Sequence, residues 1–481
     1  MAARESMGAV DHAWLRMDRP ANLMIITGVL IFREPMDFQR LTHVIETRFL
    51  RFHRFRQRVV NYSGTSGTWE DDPNFDIRRH VKRVALPGDA GKVELEDYVS
   101  DRMGEPLDHD KPMWEFHLVE NYREGAAVVV RIHHCYADGI ALIGVTLGIT
   151  DDEPNPAEPA DSPRHFHAHE NDVIHALFQP LENAVESTYD LGRGVLNAGL
   201  GLARNPRKAL AYARYGWRFT TESTELTLLP ADSPTRFKGT PGPIKRAVWA
   251  EPISLEEVKA IGHAIGCSVN DVLLASVTAA LRAYLIEKGD SVEAAEVRAI
   301  VPVNMRAEVP GESLGNHFGL VFLSLPVGIA NPLERAYELK RRMRELRSST
   351  QPVFALALMN VTGMGPQAFQ DFVVGLLSQK ASAVMTNVPG PQQPRYLAGV
   401  KIDEQMFWVP QSGDIGMGVS IFSYNGRVHF GMSTDAGLVP DPERIIARFG
   451  EEFERLVLTT LMEVDWDAPS EGHRPIGPSG R

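Results

Sequence analysis

The sequence predicts an α/β protein built as two α/β units joined by a helical linker, and three observations carry that prediction. Strand-like and helix-like stretches alternate through residues 1–150, a second alternation runs from about residue 243 to 461, and between them a proline-rich acidic break leads into a segment with no strand signal. At 481 residues the chain exceeds one compact domain and fits two or three of ordinary size.

In chain order, residues 22–32 form an apolar run suited to a buried strand. Residues 37–49 place Phe38, Leu41, Val44, Ile45 and Phe49 at helical spacing. Residues 114–119 alternate as a strand, 126–132 are continuously apolar apart from Arg131, and 140–149 return to helical spacing. A first unit, 1–150, ends there. The stretch DDEPNPAEPADSP (151–163) cannot support a packed element and opens a linker region, 151–237, whose later part reads as helices broken near Gly192, Gly194 and Pro206.

The second unit, 238–465, carries helices predicted at 255–265, 270–286 and 332–346. Its strands are predicted at 297–303, 318–326, 381–386, 417–423 and 428–434, with a closing helix from Pro442. Residues 466–481, rich in Pro, Gly and Ser, read as a disordered tail.

Composition removes several functional classes. A formal net charge of -12 argues against general nucleic-acid binding, and two cysteines, Cys135 and Cys267, build neither a disulfide framework nor a four-cysteine zinc site. A reducing, cytoplasmic location is therefore expected. The N-terminus lacks a signal-peptide core, and the apolar run 23–32 is about half of what a membrane span needs. One local exception stands out: residues 191–218 hold six basic residues and no acid, among Leu, Tyr and Trp. Such a segment suits an anionic lipid surface, or equally a solvated helix between domains.

At the end of the 126–132 strand stands His133-His134-Cys135-Tyr136-Ala137-Asp138-Gly139. A metal site fits poorly, because adjacent histidines on a strand project to opposite sides and the His-x-x-x-His geometry is missing. A nucleophile also fits poorly: the chain has no Gly-x-Ser-x-Gly elbow, and Cys135 has no basic neighbour in sequence to lower its pKa. A lone histidine general base fits, because a neutral imidazole can take a proton from an alcohol when the electrophile is already an activated thioester. Against all three stands the plain alternative of a core histidine beside an Asp-Gly turn or helix cap.

The motif resembles the HHxxxDG signature of the CoA-dependent acyltransferase superfamily. Other pieces narrow the resemblance to the bacterial wax ester synthase/acyl-CoA:diacylglycerol acyltransferase family: MGAVDHAWL (7–15), FRQR (55–58), PMWEFHL (112–118), NDVLLA (270–275), VPVNMR (301–306), LGN (314–316) and TNVPGP (386–391).

That resemblance implies two chloramphenicol-acetyltransferase-like α/β domains with the active site in a tunnel between them. It implies acyl transfer from acyl-CoA, a substrate, to diacylglycerol or a long-chain fatty alcohol, with no metal and no bound cofactor. By the same carry-over His134 is the base, His133 its support, and Asp138 a structural acid paired with Arg58, or with Arg56 or Arg306. Asn270 becomes a candidate oxyanion donor, although helix capping accounts equally for its place. Gly139 permits the turn into the helix, and Gly315, Asn316, Asn387, Pro389 and Gly390 border the substrate path. The partners expected are acyl-CoA, the lipid acceptor and a peripheral membrane or lipid-inclusion surface. Two rivals remain open: an enzyme of the superfamily that takes its thioester from a carrier protein, and a catalytically silent lipid-binding protein.

Overall fold

The computed structural model describes residues 4–62, 64, 66–156, 229–304, 316, 318–347, 349 and 351–463. The basic segment 191–218, Arg306, Gly315 and the tail lie outside them.

The described strands are β1 (Arg4–Ser6), β2 (Ile25–Phe32), β3 (Gln57–Val60), β4 (Thr68–Asp71), β5 (Val81–Val84), β6 (Trp114–Val119), β7 (Ala126–His133), β8 (Lys245–Trp249), β9 (Ile253–Ser254), β10 (Val297–Asn304), β11 (Phe318–Leu325), β12 (Ala383–Pro389), β13 (Tyr396–Leu397), β14 (Val400–Lys401), β15 (Glu404–Trp408), β16 (Met417–Tyr424) and β17 (Arg427–Asp435). The described α-helices are α1 (Ala9–Arg16), α2 (Phe38–Thr47), α3 (Lys92–Met103), α4 (Gly139–Ile149), α5 (Leu255–Ala264), α6 (Val269–Glu287), α7 (Pro332–Arg347), α8 (Gln351–Met364), α9 (Gln367–Ser378) and α10 (Glu443–Glu463).

The first large sheet runs β15-β2-β7-β6-β5. β7 reads as an apolar run interrupted only by Arg131 before the motif, because both of its faces are covered. Val128 and Ile132 join one core with Val145 and Ile149 of α4, whereas Ala127 and Val129 join another with Leu95 and Val99 of α3. Antiparallel pairing with β2 sets Ile25 opposite His133 and Phe32 opposite Ala126, which brings the motif to the sheet edge where β2 begins.

β15 departs from the sequence-based division. It comes from the second unit yet pairs with β2, Trp408 opposite Thr27 and Glu404 opposite Ile31. Met406 and Trp408 thereby enter the core that holds Val29 and Val129. The two units are interlocked through this strand, so the boundary at residue 150 is not the boundary of the first sheet.

The second sheet runs β11-β10-β12-β16-β17-β8, with β9 on β17. Helices α5, α6, α7 and α10 contribute to its principal core. Among the described residues only α6 is long and apolar enough to cross a membrane, and it is mostly buried inside the protein.

Helix α1, which no periodicity announces, ties the units together. His12 Nδ1 lies 2.9 Å from the Gly363 carbonyl, Arg16 donates to the Thr362 and Gly365 carbonyls, and Gln370 Nε2 donates to the Ala13 carbonyl. Gly363 must be glycine for this approach, since a Cβ there would lie 1.8 Å from the Ala9 carbonyl oxygen.

Candidate active site

β7 ends at His133 and α4 begins at Gly139, so the motif is the strand-to-helix joint. The His134 N–H donates to the Met24 carbonyl at 2.7 Å, which keeps the chain tethered to the start of β2 as it leaves the sheet. Asp138 caps α4, its Oδ1 accepting the Ala141 N–H at 2.9 Å.

His134 is buried, with its ring stacked on Trp14 of α1, centroids 4.0 Å apart, and tilted against Phe318 of β11 at 5.7 Å. Burial pushes its pKa down to about 4, against the opposing pull of Asp138, and the ring is therefore neutral at physiological pH. Its Nδ1 is buried and meets no hydrogen-bond partner among the described residues. The second unit holds the backbone of the same residue: Asn316 Nδ2 donates at 2.8 Å both to the His134 carbonyl and to Asp11 Oδ1. Burial raises the Asp11 carboxyl to about 6, despite the two hydrogen bonds it accepts from Asn316.

His133 points into the protein. Its Nδ1 accepts the Cys135 N–H at 3.2 Å, and its Nε2 lies 3.3 Å from Asp18 Oδ2. Cys135 is fully buried, which pushes its thiol well above the ordinary range and removes it as a nucleophile at neutral pH.

The sequence expectations for the arginines and for Gly139 need correction. Arg58 turns away from the motif, because β3 sets it directly opposite Glu70 of β4, where side chains share a face. Its Nη2 lies 3.9 Å from Glu70 and its Nη1 donates to the Asp110 carbonyl at 3.4 Å. Arg56 donates to the Leu50 carbonyl instead. Asn316 has a part that sequence did not suggest: its amide nitrogen holds the His134 carbonyl and Asp11. Gly139 is required neither by a left-handed turn nor by a close neighbour, as its φ lies outside the left-handed region and a Cβ there would meet nothing within 4 Å.

Asn270 and Asn387, far apart in sequence, meet, Asn387 Nδ2 donating to Asn270 Oδ1 at 2.7 Å. The capping explanation for Asn270 fails, since Ser268 is the N-cap and forms a reciprocal capping box with Asp271. Pro389 ends β12, and Gly390 follows against Phe422, where a Cβ would come within 2.2 Å of the ring.

Gly139 opens onto an apolar pocket between α4 and the first sheet, with a cavity volume of about 110 Å³. Gly28 and Leu30 of β2, Leu142 and Ile143 of α4, and Pro391 and Phe422 from the second unit are among its walls. Arg395 also lines it, with its charge spent on the Thr150 and Leu147 carbonyls, Thr150 Oγ1 and Asp152.

Sequence reasoning missed the residues that hold the two histidines. Asp11 and Trp14 fall within MGAVDHAWL, which carried the resemblance but gave them no role, whereas Asp18 and His109 gave no signal.

Two mixed sheets meeting at a neutral histidine, beside an apolar pocket, define a protein of the HHxxxDG acyltransferase class. The comparisons with known proteins narrow this. Residues 7–273 match the wax ester synthase/diacylglycerol acyltransferase catalytic domain and residues 314–457 the WS/DGAT C-terminal domain. The chain belongs to that family and is an acyltransferase.

It is 27% identical over 452 residues to the probable diacylglycerol O-acyltransferase tgs1 of Mycobacterium tuberculosis, covering 92% of each chain. A putative diacylglycerol O-acyltransferase of Mycobacterium bovis is 28% identical over 408 residues, covering 81% of this chain and 77% of that one. Among solved structures, the wax ester synthase/diacylglycerol acyltransferase of Marinobacter aquaeolei VT8 superposes with a TM-score of 0.67 at 20% identity, covering 95% of this chain and 99% of that one. The first condensation domain of the calcium-dependent antibiotic synthetase gives 0.60 at 13% identity, covering 98% and 99%. These two likenesses bear on the fold.

Proposed function

We propose that this acyltransferase moves a fatty acyl group from acyl-CoA to diacylglycerol or a long-chain alcohol, with His134 as general base and no acyl-enzyme. The observation that carries the reading is a buried, neutral His134 fixed at a joint whose next turn, at Gly139, opens onto the apolar pocket.

The acceptor hydroxyl gives its proton to the His134 ring as its oxygen bonds to the thioester carbonyl carbon. The carbonyl π electrons move to oxygen, where the Asn270 amide is the proposed donor. Collapse restores the carbonyl, breaks the C–S bond, and the departing thiolate takes the proton from His134. A ring with its pKa near 4 is a strong acid once protonated, so return of the proton to a thiolate is strongly downhill. The base is regenerated without a covalent intermediate.

The lipid acceptor also gives a reading to the α8–α9 hairpin. Val361, Met364, Phe369 and Phe372 are exposed there, and α8 packs directly on α1, which carries Trp14. We assign this face to contact with a lipid surface; flotation with phosphatidylcholine vesicles that survives intact in Phe369→Ser/Phe372→Ser would refute it.

Thiol release from palmitoyl-CoA, measured with hexadecanol and separately with diacylglycerol, tests the reaction. Wild type should release thiol with at least one acceptor and His134→Ala should not. Release by neither acceptor, or equal release by the variant, overturns the mechanism.

A further inference from the structure

We propose that Asp18 is the positioning carboxylate of the transfer site, one oxygen fixing the His133 ring and the other the backbone from which His134 hangs, with His109 completing its contacts. The inference rests on the acyl-transfer reading and names which residue orients its base.

Asp18 lies in the turn between α1 and β2. Its Oδ1 accepts the Met24 N–H at 2.5 Å, and the carbonyl of the same Met24 accepts the His134 N–H at 2.7 Å. A single residue therefore separates this carboxylate from the base. Its Oδ2 stands 3.3 Å from His133 Nε2 and 3.2 Å from His109 Nε2, with the two rings edge to face at 5.9 Å.

The tautomer follows from the other side of the ring. His133 Nδ1 accepts the Cys135 N–H, and an imidazole nitrogen that accepts is unprotonated, so the neutral ring carries its proton on Nε2, the nitrogen that lies 3.3 Å from Asp18 Oδ2. A nitrogen that carries its proton is not a metal ligand, and its nearest charged neighbour is the Asp18 carboxylate. Burial alone would raise the Asp18 carboxyl, but His109, His133 and the Met24 N–H together hold it well below the usual range. It stays ionised wherever the enzyme works. Asp138, where the sequence places the structural acid, uses an oxygen to cap α4.

An amide at position 18 cannot do this. Asn has one acceptor oxygen; if that oxygen keeps Met24, its NH2 confronts the N–H groups of His133 and His109. His133 must then move or place its proton on Nδ1, against the Cys135 N–H.

For Asp18→Asn we expect kcat to fall roughly 10- to 100-fold, the scale seen when a partner that orients a histidine is lost. KM for palmitoyl-CoA should stay within about twofold of wild type, because binding is untouched. Asp18→Glu, which keeps a carboxylate, should retain more activity than Asn. Wild-type kcat in Asp18→Asn, or an effect confined to KM, overturns the inference.

A readout that needs no variant at position 18 is the 15N spectrum of histidine-labelled wild type. His133, assigned by loss of its signals in His133→Gln, should show a protonated Nε2 and an unprotonated Nδ1, and the reverse pattern overturns the inference. Inactive wild type would sink the acyl-transfer reading instead, while the tautomer still judges this one.

Discussion

The Trp14 indole and the His134 imidazole lie nearly parallel, 14° between planes and 4.0 Å between centroids. Trp14 comes from α1, and α1 is pinned to α8 and α9 of the second unit, so this stack fixes the base of one unit by an element gripped by the other. A stacked aromatic pair contributes about 0.5–1.5 kcal/mol, which corresponds to roughly 2- to 12-fold in rate if all of it orients the base. Trp14→Phe should stay near wild type and Trp14→Leu should lose about that factor in kcat with KM unchanged. Steady-state kinetics with palmitoyl-CoA check it; equal kcat for Leu and Phe would remove the stack from the mechanism.

The acid limb of the pH–rate profile should fall near the pKa of His134. Burial lowers it from 6.5 to about 4, so the ring remains a base through neutral pH, and kcat/KM should decline only as pH drops toward about 4. The sign for stability is the same. A histidine whose folded pKa is depressed binds protons in the unfolded chain first, so stability erodes between pH 6.5 and about 4. Asp11, raised from 3.8 to about 6, takes up its proton more readily when folded and works in the opposite sense over an overlapping range. The kinetic profile, rather than the melting curve, is therefore the discriminating measurement. A limb centred near 6.5 would mean that His134 is solvated in the working enzyme.

Asn270→Ala separates chemistry from helix initiation. Ser268 and Asp271 supply the cap of α6, so the substitution should leave Tm essentially unchanged. Loss of one oxyanion donor costs about 10²- to 10³-fold in kcat. Asn387→Ala, which frees Asn270 Oδ1 without removing its amide hydrogens, should cost less. Thermal melts and kcat measured on the same preparations decide it: a drop in Tm with matching loss of folded enzyme would return Asn270 to a structural role.

Much of this was legible in the sequence because each element is locally consistent. The strand predicted at 114–119 is β6 as built, and 126–132 falls one residue short of β7, since apolar runs flanked by turns speak for themselves. β15 was not legible, because Glu404–Trp408 becomes a strand only by pairing with β2, more than 370 residues earlier. α1 was missed for a related reason: much of its stability comes from α8 rather than from its eight residues. At the site, the motif located His134, but its supports Trp14, Asp18 and His109 are brought there by tertiary structure. The resemblance offered Arg58, or Arg56 or Arg306, as the partner of Asp138, and the β3–β4 register sets Arg58 opposite Glu70 instead.

The pocket gives the last prediction, through two glycines that are glycine for opposite reasons. A Cβ on Gly139 meets nothing, so Gly139→Ala should fold with stability unchanged or higher, glycine to alanine at a compatible position contributing about 0.4–1 kcal/mol. Gly139→Leu should project into the pocket instead, lowering turnover of palmitoyl-CoA relative to butyryl-CoA by tenfold or so for each ~1.4 kcal/mol of lost apolar contact. Gly390→Ala has no such room: its Cβ would sit 2.2 Å from Phe422 Cζ and 2.7 Å from the Ser423 carbonyl oxygen. Phe422 is itself a pocket wall, so relief of that clash must displace it. Gly390→Ala should therefore lower Tm, with overpacking costing about 1–3 kcal/mol. The ratio of palmitoyl- to butyryl-CoA turnover in the two Gly139 variants is the measurement; a Leu variant with an unchanged ratio would show that the acyl chain lies elsewhere.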